Sequence, residues 1–237
     1  MKILVNLIAS CFIVFQLNAQ KVIEKEINTS ANRINIEFKF AEDITIKTWD
    51  KSFVYLKAEV SINDGEFDDY FDLKINNSSS VLDIESSYGD LFKKWNKDRG
   101  SYKKNNWGPC NNLDMESNYT LFIPKNVSLR IKSISGNVVS ENYQGELEID
   151  IISGNIDIKK YDGALTLKTI SGDIDINVAQ SKLLAETLTG LIYSDKEMEF
   201  DSGKNQMVGS KVTGTFGNVK SNLYLKTISG DIFLRKQ

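Results

Sequence analysis

In five copies of a repeated unit a hydroxyl residue stands immediately before the glycine: Ser135, Ser153, Ser171, Thr189 and Ser229. A hydroxyl at a glycine turn can serve as a nucleophile, provided a base lies beside it. The chain contains no His. That removes the commonest general base, the Ser-His-Asp and Cys-His systems, and His-based zinc or copper sites. Five equivalent nucleophiles also make no chemical sense, so the row reads as a structural stack of hydroxyls. The two cysteines are Cys11 and Cys110. Cys11 falls in an export signal, which leaves Cys110 without an intrachain partner for a disulfide or a thiolate cluster. No catalytic, cofactor or metal site is assigned from these residues.

Carboxylates are the remaining route to catalysis. Asp173 lies in a turn, Asp175 follows two residues on, and Asp157 would share their edge on an adjoining coil. Clustered carboxylates with Lys or Arg are what a polysaccharide lyase or hydrolase uses. A pocket gathering them beside a cation would support an enzyme; a flat ladder of charges would reject it. Solvated charges on an outer face are the reading adopted here, and the chain is read as not an enzyme. The acidic run Asp64, Glu66, Asp68, Asp69 lacks the ligand spacing of a calcium loop and reads as a solvated turn.

One stretch is suited to contact rather than chemistry. Residues 89–113 carry Lys93, Lys94, Lys97, Arg99, Lys103 and Lys104, interleaved with Phe92, Trp95, Tyr102 and Trp107. They read as a long insertion loop between strands. Cations beside aromatic faces can grip sugar rings or anionic cell-surface polymers. The competing reading has the aromatics packed back on the sheet. The expected contact residues are Lys93, Lys94, Trp95, Lys97, Arg99, Tyr102, Lys103, Lys104 and Trp107. A cell-surface glycan or an envelope protein is the expected partner. Lys+Arg 29 against Asp+Glu 32 is nearly neutral and carries no nucleic-acid signal.

The elements that must hold these residues are strands. Glycines 136, 154, 172 and 190 are evenly spaced, and each sits in a unit such as Ile152-Ser153-Gly154-Asn155-Ile156; a last clean copy is Ile228-Ser229-Gly230-Asp231-Ile232. Seven residues before each glycine stand Leu129, Leu147, Leu165, Leu183 and Leu223. Five before stand Ile131, Ile149, Leu167, Ala185 and Leu225. Period two puts both sets on one face. One copy buries about four aliphatic side chains at ~1.5–3 kcal/mol each, while ordering its backbone costs ~1–2 kcal/mol per residue. A copy therefore needs neighbours above and below. Four before the glycine come Lys132, Asp150, Lys168, Glu186 and Lys226. The first four alternate in sign, as a solvent-facing row of stacked rungs would prefer. Val212-Thr213-Gly214-Thr215-Phe216 fits the unit off-period, and the pattern departs from regularity at 195–215.

The first half alternates too, in Ile34, Ile36 and Phe38 and in Val54, Leu56, Ala58 and Val60. Residues 1–19 read as a signal peptide, with Lys2, an apolar run and cleavage after Ala19. Ile8-Ala9-Ser10-Cys11 resembles a lipoprotein box, but Phe12-Ile13-Val14-Phe15 follows where a polar tether belongs. No stretch is apolar enough to span a bilayer.

These units resemble the bacterial putative-adhesin family of β-strand repeats, a domain of unknown function common in Bacteroidetes. Lys47-Thr48-Trp49-Asp50-Lys51 and Ile123-Pro124-Lys125 contribute to the resemblance. It implies a β-solenoid or β-helix-like fold, export to the envelope and no known catalytic residues. The expectation is an all-β stack of strand repeats in one elongated domain. Residues 20–125 form a less regular N-terminal β-region and residues 126–237 the stacked repeats. The expected function is a non-enzymatic adhesin or scaffold in the periplasm, on the outer-membrane surface or secreted. A polysaccharide-acting β-helix enzyme and an envelope-stress accessory are the alternatives.

Overall fold

The computed structural model describes residues 20–102, 113–195, 201–202 and 209–236. The signal-peptide and Cys11 expectations lie outside them, as do Lys103, Lys104, Trp107 and Cys110.

Strands stack in parallel as rungs, and each rung turns a corner between two faces. Rung one is the strand Arg33–Trp49 and rung two Ser128–Ser140; both run through the corner unbroken. Rung three is Leu147–Ser153 followed by Ile156–Ile158, and rung four Leu165–Ser171 followed by Ile174–Val178. The expected aliphatic columns form. Leu129, Leu147 and Leu165 are paired in register, as are Ile131, Ile149 and Leu167. All six are at most 2% exposed. On the second face Val138, Ile156, Ile174 and Ile232 line up in the same way and are fully buried.

The order of the rungs departs from the chain order. Successive copies were expected to lie atop one another, yet Leu223 pairs with Leu165 on one side and with Leu183 on the other. The last copy, Ser221–Thr227 with Ile232–Lys236, is thus rung five. The copy before it in sequence, Ser181–Thr187 with Ile192–Ser194, is rung six. Val212-Thr213-Gly214-Thr215 is not a coil. Strand Ser210–Thr215 runs antiparallel along rung six, with Gly214 opposite Leu183. Within the irregular stretch near 195–215, the described strand Asp201–Ser202 pairs antiparallel with Ser210–Thr215, and the copy that follows fills the slot beneath rung six.

Two more strands parallel to rung one, each backed by antiparallel strands, close the N-terminal end. Val81–Ser87 pairs with rung one on the first face, and Asp72–Asn77 pairs with it. On the second face Met115–Pro124 joins rung one, followed by Phe53–Ile62 and Lys21–Asn28. Phe38 stacks on Tyr119 at 3.8 Å between the faces, with Phe71 against the same ring.

The insertion loop expected at 89–113 is in part an α-helix, Leu91–Tyr102. Leu91 is fully buried, and Trp95, one turn on, packs against the core. Side chains four apart share a helix face, and Lys-rich sequence between them suits a helix. A single apolar pair is a short signal, overshadowed in the sequence by the charges around it.

Candidate binding face

The corner of each rung is built from a glycine and the residue after it. Gly136, Gly154 and Gly172 have φ of +124°, +136° and +152°. A Cβ on Gly172 would lie 2.0 Å from the carbonyl oxygen of Gly154, and one on Gly230 equally close to that of Gly172. Only glycine allows rungs to approach so closely. The following Asn or Asp then ties each rung to the next. Asn137 Nδ2 donates to Asp43 Oδ1 at 3.0 Å, and Asn137 Oδ1 accepts from the backbone N–H of Asn155 at 3.1 Å. Asn155, Asp173 and Asp231 accept in turn from the N–H groups of Asp173, Asp231 and Leu191, each at 2.8 Å. Rung six carries Leu191 at this place and ends the ladder.

This geometry separates the three candidate carboxylates. Asp173 is a rung-to-rung acceptor. Asp157 and Asp175 are neighbours on adjacent rungs, as the sequence led us to expect. Each has its own cation: Lys159 lies 2.7 Å from Asp157, and Arg235 lies 2.6 Å from Asp175. The hydrogen bond to Asp157 holds the Lys159 ammonium above its ordinary pKa, and that to Asp175 does the same for Arg235. They form a charge ladder on an open sheet face, not a pocket. In the acidic run, Asp68 is buried and accepts from the backbone N–H of Ile62 at 2.6 Å. Among the described residues no cluster of His, Cys, Asp or Glu is disposed to hold a metal.

The hydroxyls before the glycines do align, Ser135 with Ser153, Ser153 with Ser171 and Ser171 with Ser229. A second, buried hydroxyl row escaped sequence reading. Thr169, Thr227 and Thr187 donate to the carbonyls of Gly154, Gly172 and Gly230 at 3.1, 3.0 and 2.8 Å. It lies three residues before each glycine, on the inward face, where a polar side chain needs such a partner.

The outer side of the first face is what the stack offers to solvent. Its most unusual feature is apolar. Ile134, Ile152, Ile170, Ile228 and Leu188, in rung order, are 43, 49, 47, 38 and 48% exposed. These are the repeated aliphatic residues two before each glycine. The backbone registers bring them side by side in one stripe, with rungs about 4.8 Å apart. Single exposed apolar residues are ordinary, but a contiguous row marks a contact surface. The sequence contained the signal: period two puts these residues on the same side as Lys132 and Asp150, hence in water.

The charged row beside the stripe follows rung order, so its expected alternation fails at one step. It runs Lys132, Asp150, Lys168, Lys226, Glu186, because rung five brings Lys226 next to Lys168. Lys168 Nζ sits over the Tyr224 ring at 5.8 Å. Glu186 is held below the ordinary carboxylate range by its hydrogen bond from Lys211, 2.6 Å away on the antiparallel strand. At the other end the row continues through Glu37, which is opposite Lys132. There a shallow concavity of about 500 Å³ opens between Asn35, Glu37, Lys74, Asp83, Glu85 and Arg130.

The sequence-predicted contact residues are only partly assembled. Trp95 packs edge-on against Phe67 at 5.9 Å, and Lys94 Nζ lies 5.2 Å from the same ring and 5.3 Å from that of Tyr70. Lys93 pairs with Asp90 at 2.7 Å, and Lys97 is exposed. Trp95 is thus spent on packing, while Lys93, Lys94 and Lys97 face solvent. Arg99 and Tyr102 belong to the helix backbone, but their side chains lie outside the described residues.

Residues 124–235 match the family Toastrack DUF4097, and the resemblance read from the repeated units to a domain-of-unknown-function, adhesin-like family holds. No curated protein matches the chain. Among solved structures, one described as a putative cell adhesion protein from Clostridium sporogenes is similar with TM-score 0.57 and 12% identity, covering 92% of this chain and 100% of that one. A putative adhesin from Bacteroides fragilis is aligned over 92% of this chain and 98% of its own at 12% identity, with TM-score 0.31. At such identity the first likeness concerns the fold alone, which is the expected all-β stack of strand repeats.

Proposed function

We propose, from the premise that residues 124–235 are a Toastrack DUF4097 region, that this chain is a non-enzymatic envelope or surface protein working through the outer side of its first face. It acts as an adhesin or scaffold, making many weak contacts along a rigid ladder. The observation that carries this reading is the exposed stripe of Ile134, Ile152, Ile170, Ile228 and Leu188. A regular row of apolar side chains on a stiff backbone loses little conformational entropy on contact. The carboxylates an enzyme would need are tied up in rung-to-rung bonds and one-to-one ion pairs. Export with cleavage after Ala19 fits this role, and no described helix is long and apolar enough to cross a membrane.

The helix Leu91–Tyr102 is a second proposed contact, through Lys93, Lys94 and Lys97 and, from the sequence, Arg99, Tyr102, Lys103, Lys104 and Trp107. Its cations would attract anionic surface polymers. The reading is tested with the chain from Gln20 onward on envelope fractions and on glycan and peptidoglycan arrays. Ile152→Asp with Ile170→Asp is expected to lower retention on the true partner at least tenfold, roughly what the loss of two apolar contacts implies. Turnover of any polysaccharide by the parent chain would defeat the proposal.

A further inference from the structure

We infer that the outer side of the first face pairs with the same face of a second copy of this chain, antiparallel and centred on Lys168 and Ile170. The inference rests on the proposal that this face is the working surface, and it names the partner.

The argument starts from symmetry. A two-fold axis normal to the stack direction and passing through rung four maps the stripe onto itself. Ile134 then meets Leu188 of the other copy, Ile152 meets Ile228, and Ile170 meets Ile170. The spacing matches by construction, because both rows have the period of a β-sheet. The neighbouring charges share that centre. Lys132 faces Glu186, Asp150 faces Lys226, and one rung further out Glu37 faces Lys211. Only Lys168 meets its own kind, on the axis. The charge order that places Lys226 beside Lys168 spoils alternation within one copy, yet it makes the row complementary to its own reverse. Moving the axis half a rung, between Lys168 and Lys226, would set like charges opposite each other at every one of these positions. Such repulsion disfavours the half-rung shift, and only the axis through rung four sets all five apolar side chains of the stripe opposite one another.

The third outward row offers no conflict. Its order is Arg130, Glu148, Thr166, Tyr224, Leu184, so reversal sets Arg130 against Leu184 and Glu148 against Tyr224. Three rows by five rungs cover about 20 by 24 Å. Two copies would bury roughly 1,000 Å², the low end of specific association. The dimer is therefore weak and reversible at micromolar protein.

The test uses the chain from Gln20 onward in sedimentation velocity from about 1 to 100 µM, a range suited to an interface of this size. The parent is expected to pass from monomer to dimer. Ile170→Asp, at an exposed position that folding tolerates, is expected to stay monomeric. Lys132→Glu alone should weaken pairing on the order of tenfold, as should Glu186→Lys. The double exchange should restore pairing, which a merely structural role would not do. In a Cys110→Ser background, Lys168→Cys should be joined to its own copy by a bismaleimide spanning the ~10 Å between packed sheets; Lys132→Cys should not. A parent that stays monomeric, a dimer indifferent to Ile170→Asp, absence of rescue, or linkage at 132 in place of 168 each overturns the inference. A monomeric parent whose retention on envelope partners still falls with Ile152→Asp and Ile170→Asp would sink the self-pairing and leave the proposed function standing.

Discussion

At the scale of single residues, the corner column explains why the repeat reads Gly-Asn or Gly-Asp. The glycine permits the close approach, and the following side chain supplies an acceptor to the N–H of the rung above. Asn137 and Asn155 do this with a carboxamide and Asp173 with a carboxylate, so the oxygen matters and the charge does not. Asp173→Asn is therefore expected to be nearly neutral. Asp173→Ala strands the Asp231 N–H and should cost ~1–3 kcal/mol, the penalty for an unsatisfied donor. Urea denaturation of the two variants beside the parent checks this. A loss as large for Asn as for Ala would show that charge is what counts. The recurrence of Asn and Asp was legible in the sequence as a turn preference. Its role between rungs was not, because a turn residue and a ladder acceptor look alike until the neighbouring rung is known.

At the scale of the elements, inward columns and outward rows were legible from period two, and the order of rungs was not. The units around Gly172 and Gly230 are almost the same, so local pattern cannot say which copy follows rung four. One hint exists: Leu191 stands where the other copies carry Asn or Asp, as suits a last rung with nothing above to accept from. Insertion has a measurable consequence. The N–H of Ile174 donates to the Asp231 carbonyl, and that of Ile232 donates to the Leu191 carbonyl, both at 3.0 Å. Rung five is thus bonded on both sides. Amides of Leu223, Leu225, Ile232 and Leu234 are expected to exchange as slowly as those of Leu165 and Leu167, since exchange there needs sub-global opening. A C-terminal copy stacked last in chain order would sit at an edge and exchange fast. Rapid labelling of residues 223–234 would contradict the inserted order. The helix Leu91–Tyr102 is the other element that sequence missed. Its apolar signal amounts to Leu91, Phe92 and Trp95, and its stability comes from packing on Tyr88 just before it and on Phe67 and Phe40, which are distant in the chain.

At the scale of the whole molecule, nearest-neighbour stacking sets how stability is shared. Each rung touches the one above and the one below, so a loss in one place weakens the adjoining interfaces and leaves distant ones alone. Rungs one and two differ from the rest because their strands cross the corner unbroken and pair with each other on both faces, and rung one joins both faces to the N-terminal strands. They and those strands are paired into one body, and rungs four to six connect to it through rung three. The chain carries its own reporter for this division. All three tryptophans, Trp49, Trp95 and Trp107, precede the repeats, whereas far-ultraviolet circular dichroism registers every strand. Leu167 is fully buried in rung four, and Leu167→Ala should cost ~2–5 kcal/mol there. In the parent the two signals are expected to share one urea midpoint. In the variant the dichroism should begin to fall at lower urea, as rungs four to six come away, while the tryptophan midpoint stays where it was. Were both signals to move together by the same amount, the stack would be a single cooperative unit, and the nearest-neighbour account of how its rungs support one another would fail.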